Sequence, residues 1–214
     1  MSAILAARPT EAPELRADLK LIADLVAPRS RVLDIGCGDG ELLAYLARTK
    51  SVDGRGMELS QAGVNACVRH GLSVIQGDAD NDLEAYPTGA FDYAILSQTL
   101  QATRHPRQVL ESLARIGRRV IVSFPNFAFW RIRLSLLTEG RMPQSTLLSY
   151  PWYETPNIHL CTIRDFLALA AELGITIEQA RMLDQHGRPY RLPATSRRAN
   201  WLASQGVLLL SRIR

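Results

Sequence analysis

The stretch Val32-Leu-Asp-Ile-Gly-Cys-Gly-Asp-Gly-Glu-Leu-Leu43 decides how the rest of the chain is read. Its first residues, with Arg31, make a short apolar run that ends at Ile35, as a buried strand would. Gly36-Cys37-Gly38-Asp39-Gly40 then forms a tight turn, and "GELLAYLART" (40–49) resumes with helical spacing. Glycines at such a turn let the backbone touch a ligand and set a helix N-terminus beneath it. Outward from this turn the alternation repeats. "SVDGRGMEL" (51–59), "LSVIQ" (72–76), "FDYAILS" (91–97) and "RRVIVSF" (118–124) read as strands, while "SQAGVNACVRHG" (60–71) and "PRQVLESLARIG" (106–117) read as helices. Strands separated by helices of this length predict an α/β fold, a parallel sheet covered on both faces.

Both ends of the chain fit around that sheet. "PELRADLKLIADLVA" (13–27) places Leu15, Leu19, Ile22 and Leu25/Val26 on one helical face between Pro13 and Pro28. Residues 1–12 read as a flexible tail, and 13–214 as one domain with an insertion at about 125–160. "TIRDFLALAAELG" (162–174) begins with a capping box, Thr162 with Asp165, and ends at Gly174. "ITIEQARML" (175–183) and "GVLLLSRI" (206–213) follow, with a Pro- and Arg-rich stretch between them that reads as helix-free. Without a crossover these two strands are expected to pair antiparallel.

Composition narrows the function classes. The 214 residues are 47% hydrophobic and 21% charged, proportions that suit a packed core and not a disordered chain. No apolar run reaches the roughly 20 residues that span a bilayer. The N-terminal stretch does not read as a signal peptide. Cys37, Cys67 and Cys161 are odd in number and widely spaced, which fits reduced thiols and leads us to expect a cytoplasmic protein without a structural metal. The net charge of +4 comes from arginines spread along the chain, a pattern that argues against nucleic-acid binding.

The glycine turn carries the sharpest chemistry. Its spacing is G-x-G-x-G, with Glu41 where dinucleotide binders place a third glycine. Asp34 and Asp39 bracket it. Carboxylates would repel a pyrophosphate but attract an ammonium or a sulfonium, so the turn favours a nucleoside with a cationic tail, as in S-adenosylmethionine. Glu58 ends the second strand about twenty residues on, where an acid accepts from both ribose hydroxyls. Asp78 follows the third strand, where a carboxylate accepts from an adenine amino group. Leu59, Ala79 and Ser97, beside these acids and at the end of the fourth strand, complete the candidate set with Gly36, Cys37, Gly38 and Gly40.

These motifs resemble those of class I S-adenosylmethionine-dependent methyltransferases, whose Rossmann-like, seven-stranded sheet ends in an antiparallel C-terminal hairpin. "RVLDIGCGDGELL", "FDYAILSQTLQA", "IVSFPNFAFWRIR", "GRMP" and "WYETPNIHLCTIRDF" resemble more closely the bacterial methionine-biosynthesis family MetW. That resemblance implies binding of S-adenosylmethionine or S-adenosylhomocysteine, and an association with a homoserine O-acyltransferase of α/β-hydrolase type in the first committed step of methionine synthesis. The alternative it leaves is a working small-molecule methyltransferase.

Methyl transfer to a hydroxyl or ammonium needs a base near the end of the fourth strand, and Ser97-Gln98-Thr99-Leu100-Gln101 contains none. His105 reads as a helix-entry residue. His159 is the best-placed candidate base, although its ring equally suits a role fixing the loop-to-helix junction. The cysteines read as small space-filling residues. From Phe127 to Asn157 the chain makes a long excursion rich in aromatics and arginine, a composition shared by lids and binding surfaces. Phe127, Phe129, Trp130, Arg131, Trp152 and Tyr153 are the expected partner contacts.

Overall fold

In a computed structural model, residues 15–144 and 148–212 are described. The residues read above as a tail lie outside them. One eight-stranded sheet runs in the order β3-β2-β1-β4-β5-β8-β6-β7. Its strands are β1 (Arg31–Ile35), β2 (Asp53–Glu58), β3 (Ser73–Gln76), β4 (Phe91–Ser97), β5 (Gly117–Pro125), β6 (Ile175–Leu183), β7 (Pro189–Tyr190) and β8 (Gln205–Arg212). β1 to β5 pair in parallel, and β8 lies antiparallel between β5 and β6. This is the expected mostly parallel sheet with a reversed C-terminal pair. The eighth strand is the two-residue β7, paired with β6 at Met182 and Leu183.

Among the described residues there are seven α-helices: α1 (Ala17–Leu25), α2 (Glu41–Lys50), α3 (Gln61–Arg69), α4 (Pro106–Ile116), α5 (Trp130–Glu139), α6 (Ile163–Glu172) and α7 (Arg197–Leu202). The last corrects the expectation that 184–205 would be helix-free. Ser196 caps it by accepting from Ala199 N, and Ala199 and Asn200 are buried, so packing sustains six residues whose arginines and nearby prolines gave no helical signal.

Strand alternation builds the core. Leu33, Ile35, Ala94, Leu96, Val120, Val122 and Phe124 face one side and pack on α4 and α6 through Leu110, Leu113, Ile163 and Phe166. Val32, Ile95 and Ile121 face the other side and pack on α1 and α2 through Ile22, Leu43 and Leu46. Local signals frame these helices. Ser60 caps α3 through Gly63 N, Pro106 opens α4, and both halves of the Thr162–Asp165 capping box are formed on α6. Strand order reverses between β1 and β4, and ligands of open sheets bind in the crevice at such a point. Among the described residues no helix is long and apolar enough to cross a membrane.

Candidate functional site

The turn after β1 is held open from behind. Gly36 N and Cys37 N both donate to Met57 O on β2, at 2.8 and 3.2 Å. Gly36, Gly38 and Gly40 all have positive φ, at 69°, 59° and 84°. A Cβ at Gly36 would also sit 2.5 Å from Thr99 Oγ1, so only glycine lets the turn lie against the end of β4. Gly38 is different: a Cβ there meets nothing within 4 Å, so open space lies beside the turn on that side. Asp39 Oδ1 accepts from Glu41 N at 3.2 Å and steadies the start of α2.

The acids flank this turn as the sequence places them. Asp34 is 2% exposed, and its Oδ1 has no hydrogen-bond partner. Burial, reinforced by the Glu58 carboxylate, pushes its carboxyl up to about 7. Glu58 Oε2 accepts from Gly38 N and Oε1 from Ser60 N, both at 2.9 Å, so this acid closes the glycine turn onto β2. Asp78 follows β3 and orders its own turn, Oδ1 accepting from Asp80 N at 2.9 Å and Oδ2 from Asn81 Nδ2 at 2.7 Å. Leu59 is exposed beside Glu58, Ala79 is half-buried, and Ser97 ends β4 with its hydroxyl 3.2 Å from that of Ser123.

Several residues that sequence reasoning missed complete the frame. A Cβ at Gly63 would lie 2.8 Å from Gly38 O and 2.7 Å from Glu58 Cγ; a glycine inside a helical run is the signal that could have found it. Thr99 backs the turn. Asp18, buried on α1, accepts from Arg16, Gln98 Nε2 at 2.8 Å and Gln205 Nε2 at 3.2 Å, tying α1 to the carboxyl end of β4 and the start of β8. Gln98 holds a φ of 54°, uncommon for a residue with a side chain. Nothing local in the sequence marks these contacts.

The conventional catalytic groups stay apart. His159 is exposed, and its Nε2 lies 3.2 Å from Arg104 O, the junction-fixing arrangement. His105 holds the N-cap position of α4 without a side-chain cap bond, and its backbone N donates to Asp80. Cys37 and Cys67 are buried with their sulfurs 3.9 Å apart, and burial pushes both thiols up. Cys161 accepts from Gln101 Nε2 at 3.1 Å, and burial raises its thiol too. Raised thiols are poor nucleophiles, in line with space-filling roles.

The excursion after β5 splits into two kinds of residue. Phe129 is 8% exposed, its ring edge-to-face with that of Trp130 at 6.0 Å, so of the expected contact residues it reaches the surface least. Phe127 and Trp130 are half-buried, and the Arg131 guanidinium lies 5.3 Å from the centre of the Trp130 ring. Trp152 and Tyr153 are 72% and 69% exposed, their rings edge-to-face at 5.7 Å. With Met142, Tyr150 and Leu160 they line a groove of about 610 Å³.

A glycine cradle at the switch point, an orphaned buried carboxylate and an acid after each of the next two strands define a class I S-adenosylmethionine-dependent methyltransferase fold. Solved structures agree on that fold. A methyltransferase from Mesorhizobium loti superposes with a TM-score of 0.67 over 92% of this chain and 98% of its own, at 15% identity. A possible histamine N-methyltransferase from Thermotoga maritima gives 0.65 over 92% and 88%, at 16% identity. The chain belongs to the MetW family, methionine biosynthesis protein MetW, which matches residues 16–210. A bifunctional methionine biosynthesis protein MetXA/MetW of Rhodopirellula baltica is 34% identical over 174 residues, 77% of this chain and 28% of that relative. A fatty-acid O-methyltransferase of Mycolicibacterium smegmatis is 43% identical over 67 residues, 29% of this chain and 24% of that protein. The chain thus spans about a quarter of the length of these curated relatives.

Proposed function

We propose that this MetW-family protein binds S-adenosylmethionine or S-adenosylhomocysteine and, in the cytoplasm, associates with and activates a homoserine O-acyltransferase of MetX type. The observation that carries this reading is a cofactor cradle beside a base-poor acceptor edge. Asp34 Oδ1, buried and without a partner, is the donor-seeking group that an amino acid's ammonium would satisfy. Glu58 would take the ribose hydroxyls, Asp78 and Ala79 the adenine edge, and Leu59 its face. When bound, S-adenosylmethionine would supply an electrophilic methyl group, yet the Ser97–Gln101 edge offers no base, and the His159 ring is engaged with Arg104 O. The R. baltica relative, whose name joins MetXA with MetW, supports the partnership, and the exposed aromatics at 150–160 in the insertion supply a surface for it.

The test is direct. Added to the MetX-type acyltransferase of its own organism, the protein is expected to co-elute with it and to raise its acyl-transfer rate. An unchanged rate, together with formation of S-adenosylhomocysteine from a defined metabolite, would replace activation by small-molecule methyl transfer. The partial matches to methyltransferases keep that second reading in view.

A further inference from the structure

The exposed arm at 150–160 is tied to the molecule through the segment 97–105, and that segment also touches the nucleoside side of the site. Ile158 N and His159 N both donate to Gln101 O, at 2.8 and 2.9 Å, and His159 Nε2 lies 3.2 Å from Arg104 O. Gln101 is itself buried, its Nε2 donating to Pro125 O at 3.0 Å and to Cys161 Sγ at 3.1 Å. Three residues on, Arg104 N and His105 N donate to the two oxygens of Asp80, each at 2.8 Å. Asp80 N in turn donates to Asp78 Oδ1 at 2.9 Å. At the start of the segment, Thr99 fills the space against Gly36, and Gln98 holds its left-handed φ. The segment thus meets the glycine turn at one end and the Asp78 turn at the other, with the arm hung between.

We infer that 97–105 is a ligand-sensitive strap, and that a nucleoside held between the glycine turn and Asp78 sets the docked position of the 150–160 arm. This rests on the reading of that cradle as the nucleoside site and of the arm as the partner surface. An arm that turns at 152–154 and is bonded to the segment only through the Ile158 and His159 amides and the His159 ring, with large aromatics in water, belongs to the least stable part of a fold. A ligand shifts such an equilibrium only by its differential affinity for the two arrangements. Here the docked arrangement is the one in which Thr99 backs the glycine turn and Asp80 joins the Asp78 turn to Arg104 and His105, so a ligand needing both turns formed favours it. Linkage makes the effect reciprocal: a partner seated on the arm tightens nucleoside binding by the same factor.

Hydrogen exchange of the full chain, read with and without saturating S-adenosylhomocysteine, tests the strap. The amides of Ile158 and His159 should exchange about tenfold more slowly with the ligand. In Asp80→Ala the ligand should bind within about threefold of wild type by calorimetry while that slowing disappears. Asp80→Asn, which keeps the shape of the side chain, should show the same loss. Unchanged exchange at 158–159 in wild-type protein shown by calorimetry to be saturated overturns the strap and leaves the cofactor reading standing. Absence of any binding heat at millimolar ligand overturns the cofactor reading, and the strap falls with it.

Discussion

Asp34 shows how one side chain can be costly to the empty protein and useful to the loaded one. Its carboxyl ordinarily titrates at 3.8 and stands at about 7 in the fold. The folded chain therefore holds this proton more tightly than the unfolded chain, and between those two values stability falls as pH rises. Above about 7 the full penalty, on the order of a few kcal/mol, is present. Asp34→Asn is thus expected to raise the Tm of ligand-free protein at pH 8 by several degrees, read by calorimetry. The same substitution should weaken S-adenosylhomocysteine binding at least tenfold. Because a cationic ligand favours the ionised form, wild-type affinity should rise between pH 6 and 8, with a proton released on binding that buffers of different ionisation heat would reveal. The residue was legible in the sequence because it lies within one local motif. Thr99 and Asp18 were not, since the residues they meet, Gly36 for the one and Gln98 and Gln205 for the other, lie far along the chain.

At the scale of elements, legibility followed the range of the interaction that builds each one. The α6 capping box joins residues three apart, Thr162 and Asp165, and both its bonds are formed. Thr162→Ala should therefore cost about 1 kcal/mol and lower Tm by about 2–4 °C, as thermal unfolding would show. Which apolar residues of α5 face inward was not readable in the sequence. Phe129 at its N-cap and Ile132 are buried while Leu134, Leu136 and Leu137 are exposed, a division that their spacing does not give. The helix α7 escaped because its buried Ala199 and Asn200 are recognised only by distant segments, Asn200 Oδ1 accepting from Arg164 N on α6. Asn126 illustrates the point: its side-chain amide donates to Asn200 O and Ala203 O, at 2.9 and 2.7 Å, across more than seventy residues of chain.

Taken whole, the molecule separates a cradle built into the sheet edge from an aromatic arm laid outside it. Substitutions in the arm should then leave the fold alone. Replacing Trp152 and Tyr153 together by alanine is expected to change stability by no more than about 0.5 kcal/mol, because both are exposed, while lowering affinity for the acyltransferase at least tenfold. Retained affinity with unchanged stability would move the partner surface elsewhere. The sequence by itself determined the α/β class, the antiparallel C-terminal pair, the glycine turn and the acids around it, because each depends on periodicity or on residues a few positions apart. Only the tertiary structure decided that Asp34 is buried without a partner, that Phe129 is buried, and that the arm hangs from Gln101 and Arg104. Those facts depend on which distant segments share one edge of the sheet, and burial and hydrogen bonding across that distance are properties of the folded arrangement and not of any local run of residues.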